Sequence, residues 1–333
     1  MSMETLIELK QVSRQFGAKP DAVGRVLAHA GLAKLPPIVR AVDGVDLTVK
    51  KGEVVGLVGE SGCGKSTLGR MVAGILPPSS GNVLWRGRDV DTLPPAEKKK
   101  AKLEVQMVFQ NPFASLNPRM TVGEIVGEAP TVHGLIKGDR NTYIDQQLHR
   151  AGLDPALKNR YPHQFSGGQR QRIGIARALA VNPEFLVCDE AVAALDVSIQ
   201  AQILNLFLDL REQLGLTYLF ISHDLGVVEH LSDRVAIMYL GRIIEEAPTA
   251  EVFGRPNHPY TQALLEEVPR IDTKKRDFPF LKGELPSPLS PPTGCHFHPR
   301  CPHAMERCRV EVPALKAIAP GHKSACHLND SAT

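Results

Sequence analysis

The sequence contains no apolar run approaching the about 18 residues that a helix needs to cross a bilayer, so no membrane-spanning helix is expected. It has almost no charge imbalance: 39 Lys and Arg stand against 36 Asp and Glu, a net +3. A balance that small gives no warrant for a nucleic-acid-binding protein, where a clustered basic footprint would be expected, and no nucleic-acid partner is expected. The first ten residues, MSMETLIELK, lack an apolar signal core and carry Glu4 and Glu8, so secretion is not expected and the cytosol is the working compartment. Cysteine is nearly absent from the first two-thirds, where only Cys63 and Cys188 occur. At 333 residues the chain has about two domain lengths and can bury a core without disulfides. With 43% hydrophobic and 23% charged residues it is not a disordered chain. No internal repeat is visible.

What is present alternates between strands and helices. TLIELKQV (5–12) and AVDGVDLTV (41–49) carry the two-residue alternation of half-buried strands. Between them, residues 17–40 carry Lys19, Arg25, Lys34 and Arg40 against Asp21 alone and read as an inserted surface loop, with a basic contact to a membrane surface or partner the alternative. EVVGLVGESGCGKSTLGRMVAGI reads as a buried strand, a glycine-rich turn and a helix that ends at Pro77-Pro78. VLWRGRDV and LEVQMVFQ read as further strands, separated by a solvated helix face with Lys98, Lys99, Lys100 and Lys102. A helical insert with Gly and Pro breaks runs from about Pro112 to Phe165. Helices at 169–180 and about 198–214 flank the strands FLVCDE (185–190) and TYLFIS (217–222), and VAIMYL and GRIIEE follow. The order implies an α/β core with a mainly parallel sheet. From about Pro256 the composition changes, and PSPLSPPTG (286–294) is a linker by composition.

Gly59-Glu60-Ser61-Gly62-Cys63-Gly64-Lys65-Ser66 fits G-x-x-x-x-G-K-[ST] at every fixed position, after an apolar strand and before a helix. Phosphate oxygens need several converging backbone N–H groups, and glycines let the backbone approach them. The helix N-terminus adds unpaired N–H groups, Lys65 a mobile positive charge, and Ser66 a hydroxyl for Mg²⁺. Cys63 is read as a small loop residue, not a reactive thiol.

FLVCDE ends in Asp189 and Glu190. Two carboxylates at the end of a buried strand are costly unless paired. Beside a phosphate loop their partners are Mg²⁺ for Asp189 and, for Glu190, the water that attacks the γ-phosphate.

A third motif, Phe165-Ser166-Gly167-Gly168-Gln169 followed by RQRIGIARAL, opens a second helix N-terminus and so a second anion site. With it the chain resembles, over about residues 5–255, the ATPase subunit of an ABC transporter. The resemblance implies a P-loop NTPase core, an antiparallel β subdomain, a helical signature subdomain (about 112–182) and a nucleotide-binding domain spanning 1–255. It implies ATP binding by Phe16, Gly59, Glu60, Ser61, Gly62, Cys63, Gly64, Lys65, Ser66, Thr67, Gln110 and Asp189, and Mg²⁺ at Ser66, Gln110 and Asp189. Catalysis would fall to Glu190 as base, His223 as the switch histidine and Gln110 as the Q-loop glutamine. Ser166, Gly167, Gly168 and Gln169 would meet the ATP of a second, head-to-tail ATPase subunit, with Asp196 at the dimer interface.

The usual Pro-Thr-Ser-Ala-Leu-Asp is here Ala191-Val192-Ala193-Ala194-Leu195-Asp196. Ala193 lacks a hydroxyl whose hydrogen bond is worth about 1 kcal/mol, so the two ATP sites are expected to be unequal and the partner a homologous but different subunit. A kinase using the same loop leaves the signature unexplained. Soluble ABC proteins carry two fused cassettes or a long coiled-coil insert, and this chain has neither.

QNPFASLNPRMTVGEI and the tail GCHFHPRCPHAMERC resemble the oligopeptide and dipeptide importer subfamily, most of all the F-type ATPase of dipeptide importers. Nickel importers share these features. The resemblance implies two transmembrane permease subunits, an extracytoplasmic substrate-binding protein, and a peripheral place on the cytoplasmic face of the membrane.

Cys295, Cys301, Cys308 and Cys326 supply four thiols in the extension, 256–333. Their spacing lacks the paired knuckles common in structural zinc sites and fits neither of the commonest ferredoxin patterns, so zinc, an iron–sulfur cluster and free thiols all stay open on spacing alone. His296, His298, His303, His322 and His327 flank them. The resemblance to dipeptide-importer ATPases implies a [4Fe–4S] cluster on the four cysteines, in a structural or redox role, with Zn²⁺ the alternative.

Overall fold

The computed structural model describes residues 4–17, 37–266 and 284–331. Most of the basic 17–40 stretch therefore lies outside the described residues. The strands are β1 (Thr5–Phe16), β2 (Val39–Lys50), β3 (Val54–Val58), β4 (Ser80–Trp85), β5 (Arg88–Asp89) and β6 (Val105–Val108). They continue with β7 (Phe185–Asp189), β8 (Thr217–Ile221), β9 (Arg234–Tyr239), β10 (Arg242–Pro248), β11 (Lys316–Ala319) and β12 (His322–Ser324). The main helices are α1 (Lys65–Val72), α2 (Pro95–Glu104), α3 (Pro112–Ser115), α4 (Val122–Val132), α5 (Arg140–Arg150), α6 (Gly167–Leu179), α7 (Val197–Leu214), α8 (Leu225–Leu231), α9 (Thr249–Gly254), α10 (Pro259–Glu266) and α11 (Glu306–Val310).

Strands β6, β7, β8, β3 and β9 lie side by side and parallel. β3, β7 and β8 are buried at all five positions, which is why each is a short apolar run without alternation. The switch between β7 and β3, which lie on either side of β8, gathers the C-terminal ends of β3, β6 and β7 at one edge, where open α/β sheets bind ligands. A second sheet, β2-β1-β4-β5, is antiparallel. In β2 the residues Val45, Leu47 and Val49 are buried and alternate with more accessible ones, as half-buried strands require.

The helical insert follows β6. α4 opens on a capping box between Thr121 and Glu124, and α5 on Asp139, whose carboxylate accepts from the Thr142 N–H. Val122, Ile125 and Val126 of α4, Ile144 and Leu148 of α5, and Ile173 of α6 close one apolar cluster. The structure shortens one expected strand: in LEVQMVFQ, Leu103 and Glu104 finish α2, and only 105–108 pair with β7.

The extension is built into the cassette. β12 pairs antiparallel with β10 (Glu245 opposite Ser324) and β11 pairs with β12, extending the central sheet. Phe297 is 1% exposed and meets the rings of Tyr239, Tyr260 and His258. Glu245, fully buried, accepts from the Asn257 and His258 N–H groups and contacts His322 Nε2 at 2.7 Å. Asn257 and Asn329 exchange two side-chain amide bonds of 3.0 Å. A tail poor in apolar residues thus folds by borrowing the core of the cassette.

Candidate nucleotide site

The phosphate loop spans the end of β3 and the start of α1. A cleft of 230 Å³ there is lined by Ser61, Gly62, Gly64, Lys65, Ser66, Thr67, Gln110 and Glu190, with Val39, Ala41 and Pro288. Gly64 has φ +111°, and a Cβ on it would lie 2.0 Å from the Ala41 carbonyl oxygen. No other residue type fits there. Lys65 is only 4% exposed, and its Nζ donates to the carbonyls of Gly59 (2.7 Å) and Glu60 (3.0 Å). Cys63 is buried against the loop, and burial raises its thiol above the ordinary range, which keeps it protonated and unreactive.

At the ends of the neighbouring strands the acidic pair divides. Asp189, in β7, accepts a 2.7 Å bond from the Ser66 hydroxyl. Burial raises its carboxyl, opposed by that hydroxyl and by Arg70. Glu190 follows with φ +46°, a left-handed conformation uncommon outside glycine, held by its N–H bond to the Ile221 carbonyl. Gln110 Nε2 donates to Glu190 Oε2 (2.5 Å), and His223 Nδ1 stands 3.5 Å from Glu190 Oε1. A carboxylate flanked by an amide donor and an imidazole, facing a loop of N–H groups, is arranged to take up a proton beside a bound phosphate.

Of the three residues expected around Mg²⁺, Ser66 and Asp189 touch, while Gln110 is turned to Glu190. Phe16 is not among the cleft-lining residues: it ends β1, exposed, with the Arg14 guanidinium 4.9 Å from its ring centre. Its strand partner Val39 lines the cleft instead. Glu60 also stands outside the lining, and its side chain faces the extension.

Ser166 caps α6 in a reciprocal box with Gln169, leaving both side chains exposed, while Gly168 is buried under Ile199. The signature does not enter the cleft of its own chain. Gly167 lines another groove, with Gln110, Phe113, Ala194 and Leu195. Asp196 caps α7 without a side-chain bond, and beside it Val197 is 82% exposed.

In the extension, burial raises the Cys295, Cys301 and Cys326 thiols, and neighbouring thiolates add to it; Cys326 is pushed up to about 11 by burial and by the other three cysteines. Among the described residues no three His, Cys, Asp or Glu side chains close on a single metal ion.

Sequence reasoning missed Val39, Ala41, Pro288, Tyr260 and Arg300. None has a motif, and each reaches the site only through tertiary contacts.

A phosphate loop, an Asp–Glu pair ending the adjacent strand, and a capped signature helix on an inserted helical subdomain together define an ATP-binding cassette. Residues 42–193 match the ABC transporter family, and residues 244–308 match the oligopeptide/dipeptide transporter C-terminal region. The chain is 49% identical over 98% of its length, and 98% of the relative's, to the oligopeptide transport ATP-binding protein AppF of Bacillus subtilis (strain 168). It is 51% identical to the putative oligopeptide transport ATP-binding protein YkfD of the same strain, over 87% of this chain and 90% of that one. In structure it is similar to cbiO1 of Clostridium perfringens, part of the ABC transporter complex cbiONQ (TM-score 0.61, 27% identity, 76% of this chain and 92% of that one). It is also similar to the dimeric cassette MJ0796 bound to ADP and Pi (TM-score 0.60, 28% identity, 73% and 99%). The chain belongs to the ABC transporter ATP-binding proteins, in the branch with the oligopeptide/dipeptide C-terminal region, and is a transport-coupled ATPase. Among the described residues no helix is long and apolar enough to cross a membrane.

Proposed function

We propose that this chain is the ATPase subunit that drives import of dipeptides or oligopeptides, bound to the cytoplasmic face of a membrane through two permease subunits supplied by an extracytoplasmic binding protein. The observation that carries the reading is the convergence of Gln110 and His223 on Glu190 at the mouth of the phosphate loop.

Bound as MgATP, the triphosphate lies against the N–H groups of residues 60–67, and Lys65 swings from the Gly59 and Glu60 carbonyls to the β- and γ-phosphates. Ser66 and Asp189 would hold Mg²⁺, which would offset the charge of the phosphates. Glu190 accepts the proton of the attacking water, oriented by Gln110, and His223 contacts the γ-phosphate. Ser166, Gly167, Gly168 and Gln169 are offered in trans to the ATP of a second, homologous ATPase subunit, with Asp196 and exposed Val197 at the shared face. A surface groove of the helical insert, around residues 113–160, receives a coupling helix of the permeases.

In this reading the four cysteines of the extension, none in a disulfide, hold a [4Fe–4S] cluster as the resemblance to dipeptide-importer ATPases implies, with Zn²⁺ the alternative. Bound there, the cluster would supply a cross-link among Cys295, Cys301, Cys308 and Cys326. The residues 1–255 then serve as the nucleotide-binding domain and 256–333 as its extension. Purification of the assembled complex tests the reading: vesicles should take up peptide only with ATP, and a cassette that never copurifies with permeases would end it.

A further inference from the structure

The cysteine-bearing segment reaches the phosphate loop itself. Arg300, one residue before Cys301, is 5% exposed at its side chain, and its Nη1 donates to Glu60 Oε1 at 2.8 Å. The same nitrogen is 3.4 Å from the Tyr239 hydroxyl, and Nε is buried without a partner among the described residues. From the other side, Tyr260 Oη accepts the Glu60 N–H at 3.0 Å. The Glu60 carbonyl in turn accepts from Lys65 Nζ. Side chain, N–H and carbonyl of one loop residue are therefore each fixed, two of them from beyond residue 238.

A half-satisfied buried guanidinium adds little to stability, so stability does not account for its place. Its electrostatic effect does. Glu60 is the only acid in the loop 59–66, adjacent to Ser61, which lines the cleft. Uncompensated, that carboxylate would repel a triphosphate and compete for Lys65. We infer that Arg300 is a positioning residue for nucleotide binding: by neutralising and holding Glu60 it lets the C-terminal extension set the affinity of the phosphate loop for MgATP. The inference rests on the nucleotide site proposed above.

The test is titration of the full-length protein with a fluorescent ATP analogue and Mg²⁺, alongside the same analogue of AMP. Arg300→Gln should weaken MgATP binding about tenfold and AMP binding much less, since AMP lacks the β- and γ-phosphates that the loop would hold near Glu60. Glu60→Gln added to Arg300→Gln should restore the affinity, because the charge that needed neutralising is gone. Arg300→Lys, which keeps the charge, should stay near wild type and serves if the Gln variant does not fold. Equal binding by Arg300→Gln and wild type overturns the inference, as does failure of the double variant to recover. So does a Lys variant as weak as the Gln variant, which would mean that shape and not charge matters. A wild-type chain that binds no nucleotide defeats the reading of the site, and the inference with it.

Discussion

Ser66 donates to Asp189 across 2.7 Å, joining two residues 123 positions apart in the chain. The contact locks the first turn of α1 to the end of β7, so the hydroxyl and the carboxylate expected at one metal ion already share one point. One residue on, the backbone turns left-handed at Glu190 and sends the second carboxylate toward Gln110 and His223. Two adjacent acids thereby face different partners, as the proposed split between a metal-holding and a proton-accepting role requires.

Glu190→Gln should lower ATP hydrolysis by the assembled transporter at least about 100-fold while nucleotide binding persists, because an amide keeps the shape but takes no proton. Lys65→Ala should act on binding itself, weakening MgATP about 10- to 100-fold through loss of a charge-assisted contact. Steady-state hydrolysis and fluorescent-nucleotide titration separate the two. Near-normal turnover in Glu190→Gln would remove Glu190 from the role of base.

Protein purified without oxygen should be brown and carry about four irons per chain, as four cysteines holding one [4Fe–4S] cluster require. Cys301→Ser should lose most of the iron. Stoichiometric zinc with no iron would refute the cluster in favour of a single-ion site.

Phe297→Ala should cost about 3–5 kcal/mol, the usual loss for a buried Phe, because its ring is the extension's main anchor in the core. Denaturant unfolding measures it. A loss below about 1 kcal/mol would mean the extension is held chiefly by its polar contacts.

Acid should loosen the same joint. Burial lowers His258 from 6.5 to about 3, opposed by its bond with the Ala325 backbone, and its Nδ1 accepts the Tyr260 N–H. The unfolded chain takes up a proton near pH 6.5 that the folded chain refuses until about 3. Stability present above 6.5 is therefore lost progressively as the pH falls toward 3. Thermal melts across that window should show the slope, and His258→Gln should flatten it.

The family and the reaction were legible in the sequence because each is carried by a contiguous motif. The loop 59–66, the pair ending β7 and the signature at 165–169 each need fixed residue types within a few positions, since a backbone that must meet phosphate or cap a helix does so locally. The strands of the core were legible for a similar reason, being buried on both faces and therefore unbroken apolar runs. The sequence by itself also brought the four cysteines to notice. It did not reveal that the extension is part of the nucleotide site. Arg300 and Glu60 are 240 positions apart, Tyr260 and Glu60 200, and no local pattern marks either pair. Those contacts exist because β12 adds to β10 and Phe297 enters a pocket of Tyr239, Tyr260 and His258, which carries Arg300 to the loop. Phe16 was named from its position in the chain, and only its pairing with Val39 shows that it stands exposed at the end of β1 beside a cleft-lining residue. Local chemistry wrote the motifs; long-range burial decided which side chains stand behind them.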